Sequence, residues 1–371
     1  MRRVGGWTSD PGETRYGCFL PDLTGLASFP SAASLPPPLY QYSAGPPKAV
    51  GGIRRQLRAP RPCVTFRLMN RSNFYDGAGL DRVSERRGDT EWVLAQLNRA
   101  DSRIVPLWRM QNLVEAGETP RAAYLSAAET AALPGDEREP VFLGLCGGIA
   151  YFAADLSGID DPARVPVLAG RGEFVELRSV GALLTHDEGA ILAYARGLLY
   201  WHHRHRFCGN CGAPTVIREA GHLCVCTDAD CATDHFPRTD PAVIMLVSRG
   251  GRVLLARKKE WVPEMYSALA GFVEPGESLE EAVRREVGEE TGILISDIRY
   301  HSSQPWPFPA SLMLGFHATA ETEEIHRNAD ELEDARWFTR AELKGGGAGL
   351  ARRSRSDSIA RRLIHAWIED G

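Results

Sequence analysis

Three glutamates crowd into one five-residue window: Glu286, Glu289 and Glu290. At i, i+3 and i+4, a helix would turn their carboxylates to one face of a single turn. Like charges so placed repel by roughly a few tenths of a kcal/mol per pair, so the cluster calls for something positive to hold. Hard divalent cations such as Mg2+ take carboxylate oxygens and keep waters for a phosphate substrate. The plain alternative is a solvated acidic face. A second set of chemistry-bearing residues lies upstream. Cys208-Gly-Asn-Cys211-Gly is a C-x2-C knuckle whose glycines allow a tight turn with backbone N–H groups facing the thiolates. Cys226-Thr-Asp-Ala-Asp-Cys231 is a C-x4-C partner, and fourteen residues separate Cys211 from Cys226, a usual interval for paired knuckles. Cys208, Cys211, Cys226 and Cys231 are therefore the expected Zn2+ ligands, with Cys224 in place of Cys226 as the alternative. Four thiolates close the tetrahedron, so the zinc is structural and not catalytic. The nearby His202, His203, His205, His222 and His235 then read as surface or packing residues.

The elements that must position these groups are legible around them. A Gly-rich turn with Pro275 leads to Ser278, a suitable N-cap. Leu279, Ala282, Val283 and Val287 then recur at threes and fours, which predicts an amphipathic helix to Glu290. Ahead of it, Ala242–Ser248 reads as a buried strand, Arg249–Arg252 as a hairpin turn and Val253–Arg257 as the return strand. Behind it, Ile298–Ser302 reads as a strand. Ser303-Gln-Pro-Trp-Pro-Phe-Pro-Ala-Ser311 interleaves three prolines with Trp306 and Phe308. That predicts a stiff loop holding aromatic faces at small entropic cost, suited to stacking on a planar base. A Pro-aromatic surface loop or polyproline partner site is the simpler reading in isolation. Ser358–Trp367 predicts a terminal amphipathic helix.

At 371 residues, 43% hydrophobic and 25% charged, the chain is long enough for two or three cores. A net charge of −5 gives no global basic field for nucleic acid. No apolar run reaches the length of a membrane span. Eight cysteines, four of them spaced for metal, fit a reducing, cytoplasmic setting more than a disulfide scaffold. Residues 1–68 are rich in Pro, Gly, Ser and Arg. They read as a disordered tail, or as upstream sequence with Met69 as the true start; Pro density argues against an amphipathic targeting helix. Residues 69–201 form a domain with a helix at Glu91–Leu97, strands at Arg103–Arg109, Pro140–Cys146 and Ile149–Ala153, and a long helix from a Thr185 cap to Trp201. It carries no catalytic constellation. Cys146 reads as core, and Arg178 as a surface residue or a weak phosphate contact. The ribbon-like segment spans 202–240 and a further domain spans 241–371.

The stretch Gly271 to Ile293 resembles the Nudix box, G-x5-E-x7-R-E-U-x-E-E-x-G-U. Gly271, Glu277, Arg285, Glu286, Val287, Glu289, Glu290, Gly292 and Ile293 fill every specified position. The Ser303–Ser311 array after it and the cysteine ribbon before it resemble the NADH pyrophosphatase family of Nudix hydrolases, over residues from about 69 to the C-terminus. The ribbon departs only in the x4 of its second knuckle. The resemblance implies an α+β chain: an N-terminal α/β domain, a zinc ribbon, and a C-terminal Nudix α/β/α sandwich with a mixed sheet. It implies hydrolysis of the NAD(H) pyrophosphate to NMN(H) and AMP with Mg2+ or Mn2+, in a homodimer. Metal ligands would be Glu286, Glu290, the Ala270 carbonyl and Glu331, with Glu333 and Asp334 as competitors of Glu331. Glu289 would be general base or further ligand, and Arg285 would orient the glutamates. Phe236, Phe272, Gln304, Pro305, Trp306, Pro307, Phe308, Pro309, Ala310, Ser311 and Ala360 would hold the substrate. Two other readings stay open: removal of NAD caps from RNA by the same chemistry, and a non-catalytic nucleic-acid-binding sensor. The intact glutamates count against the sensor. Gly345-Gly-Gly lacks the Lys-Ser/Thr of a P-loop and carries no phosphate role.

Overall fold

Alternation of apolar residues along short strands builds the first module. The computed structural model describes residues 73–370, apart from 78, 116, 135–138 and 345–354. The tail and start-site readings for residues 1–69, and the glycine loop, lie outside the described residues. Helix α1 (Thr90–Leu97) precedes strands β1 (Arg103–Trp108), β2 (Gln111–Glu115) and β3 (Arg121–Ala122). Then come α2 (Ala127–Ala131), β4 (Val141–Cys146), β5 (Ile149–Asp155), β6 (Glu173–Val175), α3 (Leu177–Val180) and α4 (His186–Arg204). The sheet order is β3-β2-β1-β5-β4 with β6 on β2, and only β1 and β5 run parallel. Val105, Leu143, Tyr151 and Ala153 face α4 through Leu192, Ala195, Leu199 and Trp201. Ile104, Phe142 and Phe152 face the other way, toward Trp92, Val93 and Leu97 of α1. That is the period-2 split expected of a sheet covered on both sides. Thr185 caps α4 in a reciprocal box with Glu188, at the predicted position.

A three-stranded ribbon follows: β7 (Thr215–Arg218), β8 (Leu223–Cys226) and β9 (Asp234–His235). The last module comprises β10 (Asp240–Arg249), β11 (Arg252–Arg257), β12 (Leu269–Phe272), α5 (Leu279–Thr291), β13 (Ile295–Trp306), β14 (Ser311–Ala320), β15 (Asp334–Thr339), α6 (Arg340–Lys344) and α7 (Ile359–Glu369). Its sheet runs β13-β14-β10-β11-β15, with β12 on the N-terminal half of β10. The β10–β14 pair is parallel and the others antiparallel, so the sheet is mixed. Ala282, Val283 and Val287 of α5 cover Val243, Met245 and Val247. On the opposite face, Ile359, Leu363 and Trp367 of α7 cover Ile244, Leu246 and Leu255. The result is an α/β/α sandwich. No helix among the described residues is long and apolar enough to cross a membrane.

The Pro-aromatic stretch departs from expectation. Gln304, Pro305 and Trp306 are not loop residues; they continue β13 and pair with Met313, Leu312 and Ser311. Only residues 307–310 turn, with a cis Phe308–Pro309 bond. The reason is again alternation: Ser302 and Gln304 point inward and are buried, which keeps the strand in register. The inward side also receives the N-terminal module. Asn73 Nδ2 donates to the Ser303 carbonyl (2.7 Å), and Gln304 Nε2 donates to the Phe74 carbonyl (2.9 Å).

Candidate active site

Helix α5 starts at Ser278, whose hydroxyl accepts from Glu281 N–H while Glu281 caps Ser278 in return. It ends at Gly292, at φ 69°, the left-handed C-cap that suits glycine. The burial of Ala282, Val283 and Val287 leaves the glutamates on the rim of the sheet. Gly271, on edge strand β12, lies directly beneath them: a Cβ there would overlap the Glu286 carboxylate. Its neighbour Ala270 stands opposite Ile244 of β10.

Arg285 ties the cluster together. Its Nε and Nη2 donate to the two oxygens of Glu277 (2.6 and 2.9 Å), the bidentate fork that suits a carboxylate. Its Nη1 reaches Glu286 (2.8 Å) and Glu289 (3.0 Å), and Nη2 also bonds the Phe272 carbonyl (2.9 Å). The guanidinium and the N–H of Glu274 hold the Glu277 carboxyl down to about 2. Glu277 itself raises the pKa of Arg285 further.

Glu290 is the exception. It is 2% exposed, and its buried Oε2 has no hydrogen-bond partner. Burial lifts its carboxyl to about 7; Lys258 opposes that, and the charges of Glu286, Glu331 and Glu289 add to it. An orphaned carboxylate oxygen beside other carboxylates is the donor set a hard divalent cation takes. Glu286, Glu290 and Glu331 could hold one. Of the competitors of Glu331, Glu333 is paired with Arg257 and Asp334 accepts from Tyr266; exposed Glu331 accepts from the Asn328 amide (3.3 Å), and its charge acts on Glu290. Lys258, read from sequence as a plain loop charge, turns out to be the cation that acts on Glu290. Nothing in its local sequence signals that.

In the ribbon, the Sγ atoms of Cys208, Cys211, Cys226 and Cys231 all lie within 4.8 Å of one another. The Asn210 N–H points at Cys208 Sγ (3.4 Å), as the knuckle geometry predicts. His235, read as a packing residue, brings Nε2 within 3.3 Å of the same sulfur. Cys224 sits two residues up the strand from Cys226, buried against the core formed with α4, and is outside the thiol group.

The predicted substrate residues divide into separate places. Trp306, Pro307, Ala310 and Ser311 line a cavity of about 840 Å3, with Tyr194 and Arg82 of the first module across from them. None of the glutamates of α5 lines it. Phe236 and Phe272 are about three-fifths exposed, Phe272 opposite Ala242 of β10, and Ala360 is buried at the start of α7. Trp306 and Phe308 pack edge-to-face on each other, 5.1 Å between centroids, and both contact Tyr75. Arg178 is exposed, with its guanidinium 6.0 Å from the Trp306 ring. Gln304 corrects the expectation of a ligand contact. It is fully buried, Nε2 donates to the Phe74 and Asp357 carbonyls, and Oε1 accepts from Ile359 N–H. Its amide is spent on the scaffold.

Three family models match in succession: the NADH pyrophosphatase-like rudimentary NUDIX domain over 101–201, the NADH pyrophosphatase zinc ribbon domain over 203–236, and the NUDIX domain over 237–361. The chain is 40% identical over 308 residues to NAD-capped RNA hydrolase NudC of Mycobacterium bovis, covering 78% of this chain and 92% of that one. It is 34% identical over 343 residues to the human NAD-capped RNA hydrolase NUDT12, covering 80% and 73%. With Nudix hydrolase 19, chloroplastic, of Arabidopsis thaliana it shares 48% identity over 225 residues; the match spans 56% of this chain and about half (51%) of that relative.

The Glu290 environment makes a pH prediction. Its folded value of about 7 lies above the ordinary 4.5. Without divalent metal, stability is therefore full below 4.5 and is lost as pH rises through 7. Glu290→Gln removes that titration. In protein without added Mg2+ or Mn2+, the variant should melt progressively higher than wild type as pH is raised from about 5 to about 8. A melting difference that stays constant with pH contradicts the buried, unpartnered carboxylate.

Proposed function

Because the chain belongs to the NADH pyrophosphatase family of Nudix hydrolases, we propose that it hydrolyses the pyrophosphate of NAD(H) to NMN(H) and AMP. The observation that carries the reading is the acidic rim itself: Glu290 with an orphaned oxygen amid the charges of Glu286 and Glu331, and Glu286 lying against Gly271. Glu286, Glu290, Glu331 and the Ala270 carbonyl would hold Mg2+ or Mn2+, which would supply positive charge against the charge that develops on the phosphate oxygens. Glu289 takes the proton from the attacking water; it is the most solvent-exposed of the three helix glutamates and is held by a single bond to Arg285. Arg285 keeps Glu286 and Glu289 in place through its fork. Trp306, Phe308 and Phe272 supply aromatic surface for a base at the same sheet end. Cys208, Cys211, Cys226 and Cys231 hold one structural Zn2+.

RNA carrying an NAD cap presents the same pyrophosphate and is a second substrate reading, favoured by the likeness to the human and mycobacterial NAD-capped RNA hydrolases. A pure nucleic-acid sensor is disfavoured by the intact carboxylate cluster.

Glu290→Gln should keep the fold and abolish metal-dependent release of AMP from NADH; retained turnover would sink the assignment. Turnover of NADH and NAD-capped RNA at equal concentration separates the two substrates, and preference for the RNA shows as a higher kcat/KM. The zinc site is worth roughly 10–16 kcal/mol of apparent folding free energy. Stripping it should therefore lower the melting temperature sharply, and an unchanged melting curve after verified zinc loss refutes a structural role.

A further inference from the structure

The turn at residues 307–310 is poor in its own fastenings. Pro305, Pro307 and Pro309 have no N–H to donate. Inside the turn, Phe308 N–H bonds the Trp306 carbonyl (2.7 Å), and the Ala310 carbonyl accepts from Asp240 N–H (2.9 Å). The rest must be held from outside, and the first module does so at two points. On α4, Arg196 Nε donates to the Pro307 carbonyl (3.0 Å). Its Nη2 pairs with Glu176 (3.2 Å), and the guanidinium sits 5.4 Å from the Phe308 centroid. At the N-terminal side, Tyr75 packs edge-to-face on Trp306 and Phe308 at 6.0 and 5.9 Å. Its hydroxyl donates to Asp357 (2.7 Å), which also takes two bonds from Arg355 (2.8 and 2.6 Å). A Cβ at Gly181 would overlap the Tyr75 hydroxyl, and one at Gly189 would overlap the Phe74 ring. The segment therefore has no room to shift.

Stability alone does not account for Arg196. It is 9% exposed, and its Nη1 is buried without a hydrogen-bond partner. A guanidinium desolvated with an incomplete fork is commonly matched or bettered in stability by an apolar side chain of similar volume. What the arginine supplies is direction: one bond to one carbonyl of the turn, and a cation at the face of its aromatic ring.

We propose that Arg196 and Tyr75 are positioning residues through which the N-terminal module fixes the Trp306–Pro309 turn for dinucleotide binding, so that this module sets affinity and leaves the chemistry to α5. The inference rests on the reading of the turn as a base-binding surface. Arg196→Met, Arg196→Lys and Tyr75→Phe in the full chain test it, by steady-state hydrolysis of NADH and by calorimetric binding of NAD+ without divalent cations. Arg196→Met and Tyr75→Phe should each raise KM and the calorimetric Kd about fivefold or more, since pre-organisation is lost. Their kcat should stay within about twofold, since the metal-binding rim is untouched. Arg196→Lys should recover part of the affinity. Unchanged KM and Kd in folded Arg196→Met, or a loss confined to kcat, overturns the proposal. If Arg196→Met fails to fold, Tyr75→Phe decides by the same criteria, because Asp357 keeps both bonds from Arg355. Wild type that binds NAD+ but does not hydrolyse NADH defeats the pyrophosphatase reading and leaves this test standing. Wild type that does not bind NAD+ defeats both.

Discussion

Mutual repulsion among carboxylates is the constraint around which the catalytic module is arranged. Four of them, at 277, 286, 289 and 290, project near one end of one sheet. Arg285 satisfies three through a single planar fork, with Glu277 as the bidentate partner. It leaves Glu290 buried and unpaired. One carboxylate is thereby kept in a state that only a proton or a cation relieves. The other features of the rim follow. Gly271 has no side chain because the Glu286 carboxylate occupies that space. The capping box at Ser278 and the left-handed Gly292 fix where the helix starts and stops, and so which residues face the sheet edge.

Electrostatics at the rim and packing behind it are handled by opposite faces of one sheet. The α5 face of the mixed sheet carries the acids, whereas the α7 face carries Ile359 and Ala360, whose position depends on Gln304. Gln304 links three segments with one amide: β13, the start of α7 and the Phe74 backbone. A side chain used so fully cannot also recognise a ligand, but it settles where its neighbours Trp306 and Ala360 stand.

Legibility followed the range of the interaction. Helix α5, its cap and its acidic face were readable because every signal lies within about four residues. The knuckles were readable for the same reason, and the choice of Cys226 over Cys224 came out as the spacing suggested, since the four thiols converge. The strand character of Gln304–Trp306 was not readable. Prolines argue for a loop, and only pairing with Ser311–Met313 makes those residues strand. Lys258, Arg196, Tyr75 and Asp357 were likewise invisible, because each acts on residues far away in the chain. Strands β2, β3 and β6 are short and weakly patterned, and they exist through neighbours supplied by the sheet.

The bond from Tyr75 to Asp357 joins residues 282 positions apart. Contacts of such separation are late to form, because the loop they close must first be made. A ribosome delivers Tyr75 long before its acceptor emerges. The sheet of the first module and the zinc knuckles can each assemble on contacts already available, and the Nudix sheet must wait for β15 and α7. The aromatic turn therefore acquires its final setting only after Asp357 has been made. Until then, the bonds that link Asn73, the Phe74 carbonyl and Arg196 to residues 303–307 are the fastenings available between the two modules.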